Sequence, residues 1–143
     1  MAHALSHVLG GPETFGSRAP RSASDWHGLI QSGVPSRAAF LLKDHLGLRN
    51  DELAKLLGLS ARSLTRLSAS RTLDPVTGDR LYRLARIYAL ASDVLEDEAA
   101  AVRWLRSPQR ALGEVKPLDL AATDAGAREV EQLLGRLEHG VFT

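Results

Sequence analysis

The segment Asp51–Leu67, DELAKLLGLSARSLTRL, constrains the fold more than any other stretch. Its small, turning and apolar residues stand at the offsets that two short helices joined by a tight turn require. Leu53, Leu56 and Leu57 form one apolar face, and Ala54 keeps the surface low where a following helix must cross closely. Gly58 follows four residues later and can take the positive φ that stops a helix abruptly, with Leu59 turning back onto the core. Ser60 is placed to N-cap the next helix, whose Leu64 and Leu67 return to that core. Ala61, Arg62, Ser63, Thr65 and Arg66 are left to point outward, short polar and cationic side chains suited to a major groove. The pattern predicts a helix-turn-helix with duplex DNA as ligand; an ordinary helical hairpin with a glycine C-cap carries the same punctuation.

Charge distribution agrees with the DNA reading. Between Ser36 and Arg71 seven basic residues stand against three acidic ones, a net of +4, whereas from Thr72 onward nine basic residues meet twelve acidic ones, a net of −3. A phosphate-binding surface belongs in the basic stretch, where Arg62 and Arg66, four apart on one helix face, would reach bases or backbone and Arg71 and Arg37 would hold phosphate. Ser60, Ser63 and Thr65 complete the DNA-binding set. A useful affinity from so few contacts needs two copies on repeated half-sites.

Other classes are excluded by what the chain lacks. There is no cysteine among the 143 residues, so no disulfide or thiolate metal site exists. No apolar run nears the roughly 20 residues that span a bilayer, and residues 1–10 lack the order of a secretory signal, so the chain is expected in the cytoplasm with no membrane partner. The five histidines are scattered; only His3 and His7 share helical spacing, in a segment expected to be loose, so no metal is expected. Gly10-Gly11 and Ser17 make neither a phosphate loop nor a nucleophile elbow. With no convergent catalytic constellation, the chain is expected to have no catalytic residues, to need no cofactor and to be no enzyme.

Abundant alanine, leucine and arginine with few aromatics predict an all-α fold. Residues 1–34, punctuated by Gly10-Gly11-Pro12, Gly16, Pro20 and Gly33, are expected as a flexible arm with one short helix near Asp25–Gln31. A first helix runs from the cap Ser36 to Gly47, and Asp74-Pro75 opens a long one bearing Leu81, Leu84, Ala85, Tyr88, Ala91 and Leu95 on one face. Glu96–Arg106 reads as a further helix, ended by Ser107-Pro108. Thr123 or Asp124 caps a last helix carrying Val130, Leu133, Leu134 and Leu137, with Gly135 inside it implying a close backbone neighbour and Gly140 as its stop. The terminal Val141-Phe142 either closes the chain's own core or inserts into a partner.

A family resemblance rests on these residues together. Arg80-Leu81-Tyr82-Arg83-Leu84-Ala85-Arg86, Trp104-Leu105, Pro108, Ala111-Leu112-Gly113, Pro117-Leu118-Asp119-Leu120, Thr123, Gly126, Val130, Leu134, Arg136-Leu137 and Gly140 resemble the Xre/MbcA/ParS antitoxins over about residues 36–142. Glu114 departs from the pattern, since the family often has a second glycine after Leu112-Gly113. The resemblance implies an Xre-like helix-turn-helix bundle at residues 35–95 and a smaller helical toxin-binding and dimerisation domain at 96–143. It implies a type II antitoxin that binds a RES-domain, NAD-degrading toxin, pairs as a homodimer through the C-terminal domain and represses its own operon at operator DNA. Carried onto this chain, the toxin-binding positions are Arg136, Leu137, Gly140, Val141 and Phe142, with the C-terminal end blocking the toxin's active site. The alternative is a free-standing helix-turn-helix transcriptional regulator without a toxin.

Overall fold

Leucine and alanine at i, i+3 and i+4 spacings, with a capping side chain or turn glycine at most boundaries, divide this chain into short amphipathic helices. A computed structural model describes residues 2–140, with side chains from Leu5 onward. In chain order the helices are α1 (Ala2–Val8), α2 (Pro12–Phe15), α3 (Ala23–Ser32), α4 (Arg37–Leu46) and α5 (Asn50–Leu57). They continue with α6 (Ala61–Ala69), α7 (Pro75–Leu95), α8 (Glu98–Leu105), α9 (Pro117–Leu120) and α10 (Asp124–Glu138). A 3₁₀ turn, Arg110–Leu112, lies between α8 and α9. The class is all-α: extended pairing among the described residues is confined to two isolated antiparallel bridges, Pro35 with Thr72 and Gln109 with Val115.

The spine of the molecule is α7. Asp74 caps it by accepting the Thr77 amide at 2.8 Å, and Pro75, which has no amide to satisfy, opens its first turn. Its 21 residues reach about 30 Å, enough to serve two layers of neighbours. α1, α3 and α5 pack on it from the N-terminal half, α8 and α10 from the C-terminal half. Leu81, Leu84, Ala85, Tyr88 and Ala91 are buried as their spacing required, and Ile87 and Ala89 are buried as well because partners cover α7 on more than one side. The result is one continuous apolar cluster from Leu5 to Leu134.

The N-terminal segment corrects the expectation of a flexible arm. Leu5, Val8 and Leu9 are buried, α1 packs on α4 and α7, and Trp26 and Ile30 of α3 enter the same core. Trp26 is held between Phe15, edge-on at 5.8 Å, and Tyr82 at 5.2 Å. The breakers between these helices are real, but each short apolar cluster has an i, i+3 or i+4 mate and finds its cover in α7, which local sequence cannot reveal.

Smaller differences have local causes. Ser36 does not cap α4: its hydroxyl is buried without a partner among the described residues, while its amide donates to the Arg71 carbonyl at 3.0 Å. α8 begins at Glu98 because Asp97 caps it, accepting the Ala100 amide at 3.1 Å, and Glu96 closes α7 in a left-handed conformation, φ 56°. Gly135 has open space around the position a Cβ would occupy, so no backbone among the described residues approaches it. The close approach falls at Gly126, where a Cβ would collide with the Leu120 carbonyl; this lets α10 start directly against α9. Thr123 caps α10 by accepting the Gly126 amide at 3.0 Å.

Candidate functional site

The helix-turn-helix forms over α5 and α6 as the residue spacing requires. α5 ends at Gly58, left-handed at φ 69°, and the Leu59 amide closes the turn onto the Ala54 carbonyl at 2.8 Å. Leu53, Ala54, Leu56 and Leu57 are buried, as is Leu64 of α6, with Leu67 half-buried beside it. The sequence reading missed the clamp on this turn. Arg80 of α7 lays its guanidinium over Gly58 and donates to the Leu57 carbonyl at 3.0 Å, satisfying a helix-end acceptor that the turn leaves open.

The outer face of α6 carries the nominated residues. Ser60 N-caps it, accepting the Ser63 amide at 3.0 Å and donating to the Ser63 hydroxyl at 3.0 Å. Thr65 donates to the Ala61 carbonyl at 3.0 Å, so its free capacity is as an acceptor. Ser63, half-buried, keeps its own hydroxyl proton for an outside acceptor. Arg62 and Arg66 are exposed and have no ion-pair partner among the described residues. Arg71, equally unpaired, is fixed just beyond α6 because its strand-like segment is stitched to residues 34–36 by the Ser36 bond and by the Leu73 amide to the Val34 carbonyl at 2.8 Å. Arg37 differs: Glu13 of α2 accepts from its guanidinium at 3.1 Å, so this cation is partly neutralised.

Beside α6 a groove is lined by Asn50 and Asp51 at the start of α5 together with Ala61, Thr65 and Ser68. An acid at such a place would repel phosphate if left uncompensated. Asp51 is bound by Arg49, Nε to Oδ1 at 3.0 Å, and that bond holds its carboxyl below the usual range. Glu52 accepts the Arg49 amide at 3.0 Å, which above all keeps its carboxylate charged despite partial burial, and Arg106 adds a second cation at 3.3 Å. The i, i+3 spacing of Arg49 and Glu52 is a local signal that the sequence reading did not use; nothing local revealed Arg106.

At the other end of the chain, α10 buries Val130, Leu133 and Leu134 and half-buries Arg136 and Leu137, Leu137 resting on the common core. The Arg136 Nε is buried without a hydrogen-bond partner among the described residues. His139 ends the helix, and Gly140 follows, exposed, with φ 74°. Val141 and Phe142 lie outside the described residues. Among the described residues no three histidine, aspartate or glutamate side chains converge as a metal site, and no helix is long and apolar enough to cross a membrane.

Comparison with known proteins interprets both ends. The family model for the antitoxin Xre-like helix-turn-helix domain matches residues 25–86, and that for the antitoxin Xre/MbcA/ParS C-terminal toxin-binding domain matches residues 90–140. An Antitoxin Xre of Pseudomonas putida is 30% identical over 123 residues, covering 85% of this chain and 77% of its own. The chain belongs to the Xre/MbcA/ParS antitoxin family. A second Xre-family relative, Antitoxin Xre of Yersinia enterocolitica, is 39% identical over 97 residues, 64% of each chain, so this chain spans just under two thirds of that relative's length. Among solved structures, a chain of the M. tuberculosis MbcT-MbcA toxin-antitoxin complex shares the fold with a TM-score of 0.57 and 28% identity, over 76% of this chain and 96% of that one. The Xre-like match begins at residue 25, eleven residues before the stretch whose motifs carried the resemblance, and so takes in α3 and its buried Trp26.

Proposed function

We propose that this Xre-family antitoxin neutralises a RES-domain, NAD-degrading toxin by direct binding and represses its own operon through α6. The observation that carries the first part is the likeness to the MbcT-MbcA complex over 96% of the matched chain. It is supported by the match of residues 90–140 to a domain described as toxin-binding. Arg136, Leu137 and the end of the chain from Gly140 through Val141 and Phe142 are assigned to the toxin, because an apolar residue following a helix stop suits insertion into a nucleotide-sized cleft. Arg136 is half-buried on α10 and carries the positive charge of this assigned set. The C-terminal half, residues 96–143, also pairs two copies, which brings two α6 helices to neighbouring half-sites.

For DNA, Arg62 and Arg66 read bases or backbone, Ser60, Ser63 and Thr65 assist, and Arg71 binds phosphate; the support is that these cations are exposed and without ion-pair partners among the described residues, near a groove whose one acid, Asp51, is paired with Arg49. The decisive experiment is co-expression with the neighbouring gene product and mass measurement of what co-purifies, with and without residues 140–143. The full chain should capture the toxin and abolish NAD loss, and the truncated chain should bind with the fold unchanged but inhibit poorly. Full neutralisation by the truncated chain refutes occlusion by the C-terminal end.

A further inference from the structure

One side chain of the C-terminal half ends inside the helix-turn-helix half. Arg106 follows the last residue of α8, within the part of the chain matched as toxin-binding. Its Nη1 donates to the Leu46 and Gly47 carbonyls at 3.3 and 3.2 Å, and its Nη2 faces both oxygens of Glu52 at 3.5 and 3.3 Å. The carbonyls at the end of α4 have no helical donors, and a guanidinium there satisfies them and suits the negative end of the helix. Glu52 in turn accepts the Arg49 amide, so one carboxylate joins the N-cap of α5 to Arg106. The α4–α5 turn is therefore held on both sides by a residue from the other half.

Leu48, Leu56 and Leu118 belong to the common core at this seam, and the polar bonds of Arg106 add direction to that contact. Between α5 and the approach to α9 lies a cleft lined by Leu48, Lys55, Lys116 and Asp119, with Arg106 spanning it. The other polar links between the halves, Arg83 to the Ala122 carbonyl at 3.5 Å and Arg86 to Glu131 at 3.2 Å, sit on α7, away from the turn. The residues that follow the turn, Asn50 and Asp51, form one wall of the groove whose other wall is Ala61, Leu64, Thr65 and Ser68 of α6. With side chains about one-third and one-quarter exposed (32% and 26%), Arg106 and Glu52 are shielded enough for their geometry to matter and do not belong to the outer DNA-facing set.

We infer that Arg106 is a positioning residue for DNA recognition, holding the α4–α5 turn in the orientation the recognition helix needs, so that operator affinity depends on a side chain outside the helix-turn-helix. This rests on the DNA-binding reading above. The test is a titration of the full-length protein against the duplex upstream of its own gene, repeated over a range of salt concentrations. Arg106→Ala should weaken binding about 3- to 10-fold, less than the full worth of one charge-assisted bond, because the loss reaches DNA only through the orientation of the turn. The slope of log affinity against log salt should stay unchanged, because no phosphate contact is lost; a residue touching phosphate directly would lower that slope by about one. Arg106→Lys should not restore binding, since an ammonium cannot span two carbonyls and a carboxylate. Glu52→Gln, which keeps the shape of the side chain, should also weaken binding, and the double variant should be no worse than Arg106→Ala. If Arg106→Ala fails to fold, Glu52→Gln carries the same test.

Wild-type affinity in the folded variants, a reduced salt slope, or additive losses would overturn the inference while leaving the DNA-binding reading in place. A wild-type protein that binds no upstream duplex overturns that reading and the inference with it.

Discussion

Gly58→Ala should cost clearly more than Gly47→Ala, although the two glycines have nearly the same backbone conformation. Both end a helix in the left-handed region, at φ 69° and 64°. Forcing alanine into that region costs about 1 kcal/mol at either position. At Gly47 nothing lies within 4 Å of the new Cβ, so the penalty ends there. At Gly58 the Cβ falls on the Arg80 guanidinium, with Cζ 3.0 Å away, and the side chain must withdraw. Its 3.0 Å bond to the Leu57 carbonyl is then lost. A charged donor in a partly buried site is worth about 1–2 kcal/mol after allowance for solvent. The sum is about 2–3 kcal/mol at Gly58 against about 1 at Gly47, a gap of several degrees in Tm for a chain of this size. Urea titrations of both variants measure it, and Gly58→Ala placed in an Arg80→Ala background should cost only the backbone part. Equal losses at the two glycines, or a full Gly58 penalty without Arg80, would refute the clamp.

Arg62→Ala and Arg66→Ala should each weaken operator binding by about 1–3 kcal/mol while toxin neutralisation is untouched; unchanged gel-shift titrations would show that α6 no longer contacts DNA. Glu114 sits at φ 63° directly after the left-handed Gly113, and Glu114→Gly should raise stability by about 1 kcal/mol in a thermal melt. Glu52 titrates below its ordinary value of 4.5, so its contribution is fully present above that pH and is lost as the pH falls through the lower folded value. An acid titration of stability should show this loss in the wild type and a shallower one in Glu52→Gln.

Legibility in the sequence followed the range of the interactions. α5, the turn and α6 were readable because each signal is contained within a few residues: the Gly58 stop, the Ser60 cap accepting the Ser63 amide, and Leu64 and Leu67 on one stripe. The same holds for Asp74-Pro75 at the start of α7 and Thr123 at the start of α10. Reading failed where a segment's partner lies far along the chain. Leu5, Val8 and Leu9 are too few to announce a stable helix, and their order comes from α4 and α7. Gly135 and Gly126 both stand within the last helix, and only the position of the Leu120 carbonyl distinguishes the glycine that is required. The recognition-helix residues were placed on one outward face by period alone, but that Arg37 is tied to Glu13 while Arg71 has no ion pair among the described residues depends on where the fold puts Glu13, 24 residues away.

The sequence by itself determined the helices, their caps and the outward chemistry of α6, since helix periodicity, N-caps and glycine stops act over a turn or two of backbone. Only the tertiary structure decided which of those helices share a core and how the two halves are joined. Arg80 over Gly58 and Arg106 between the Leu46 and Gly47 carbonyls and Glu52 bridge 23 to 60 residues of chain. Contacts of that separation leave no mark in local spacing, because a guanidinium finds orphan helix-end carbonyls only after folding has brought them within its reach.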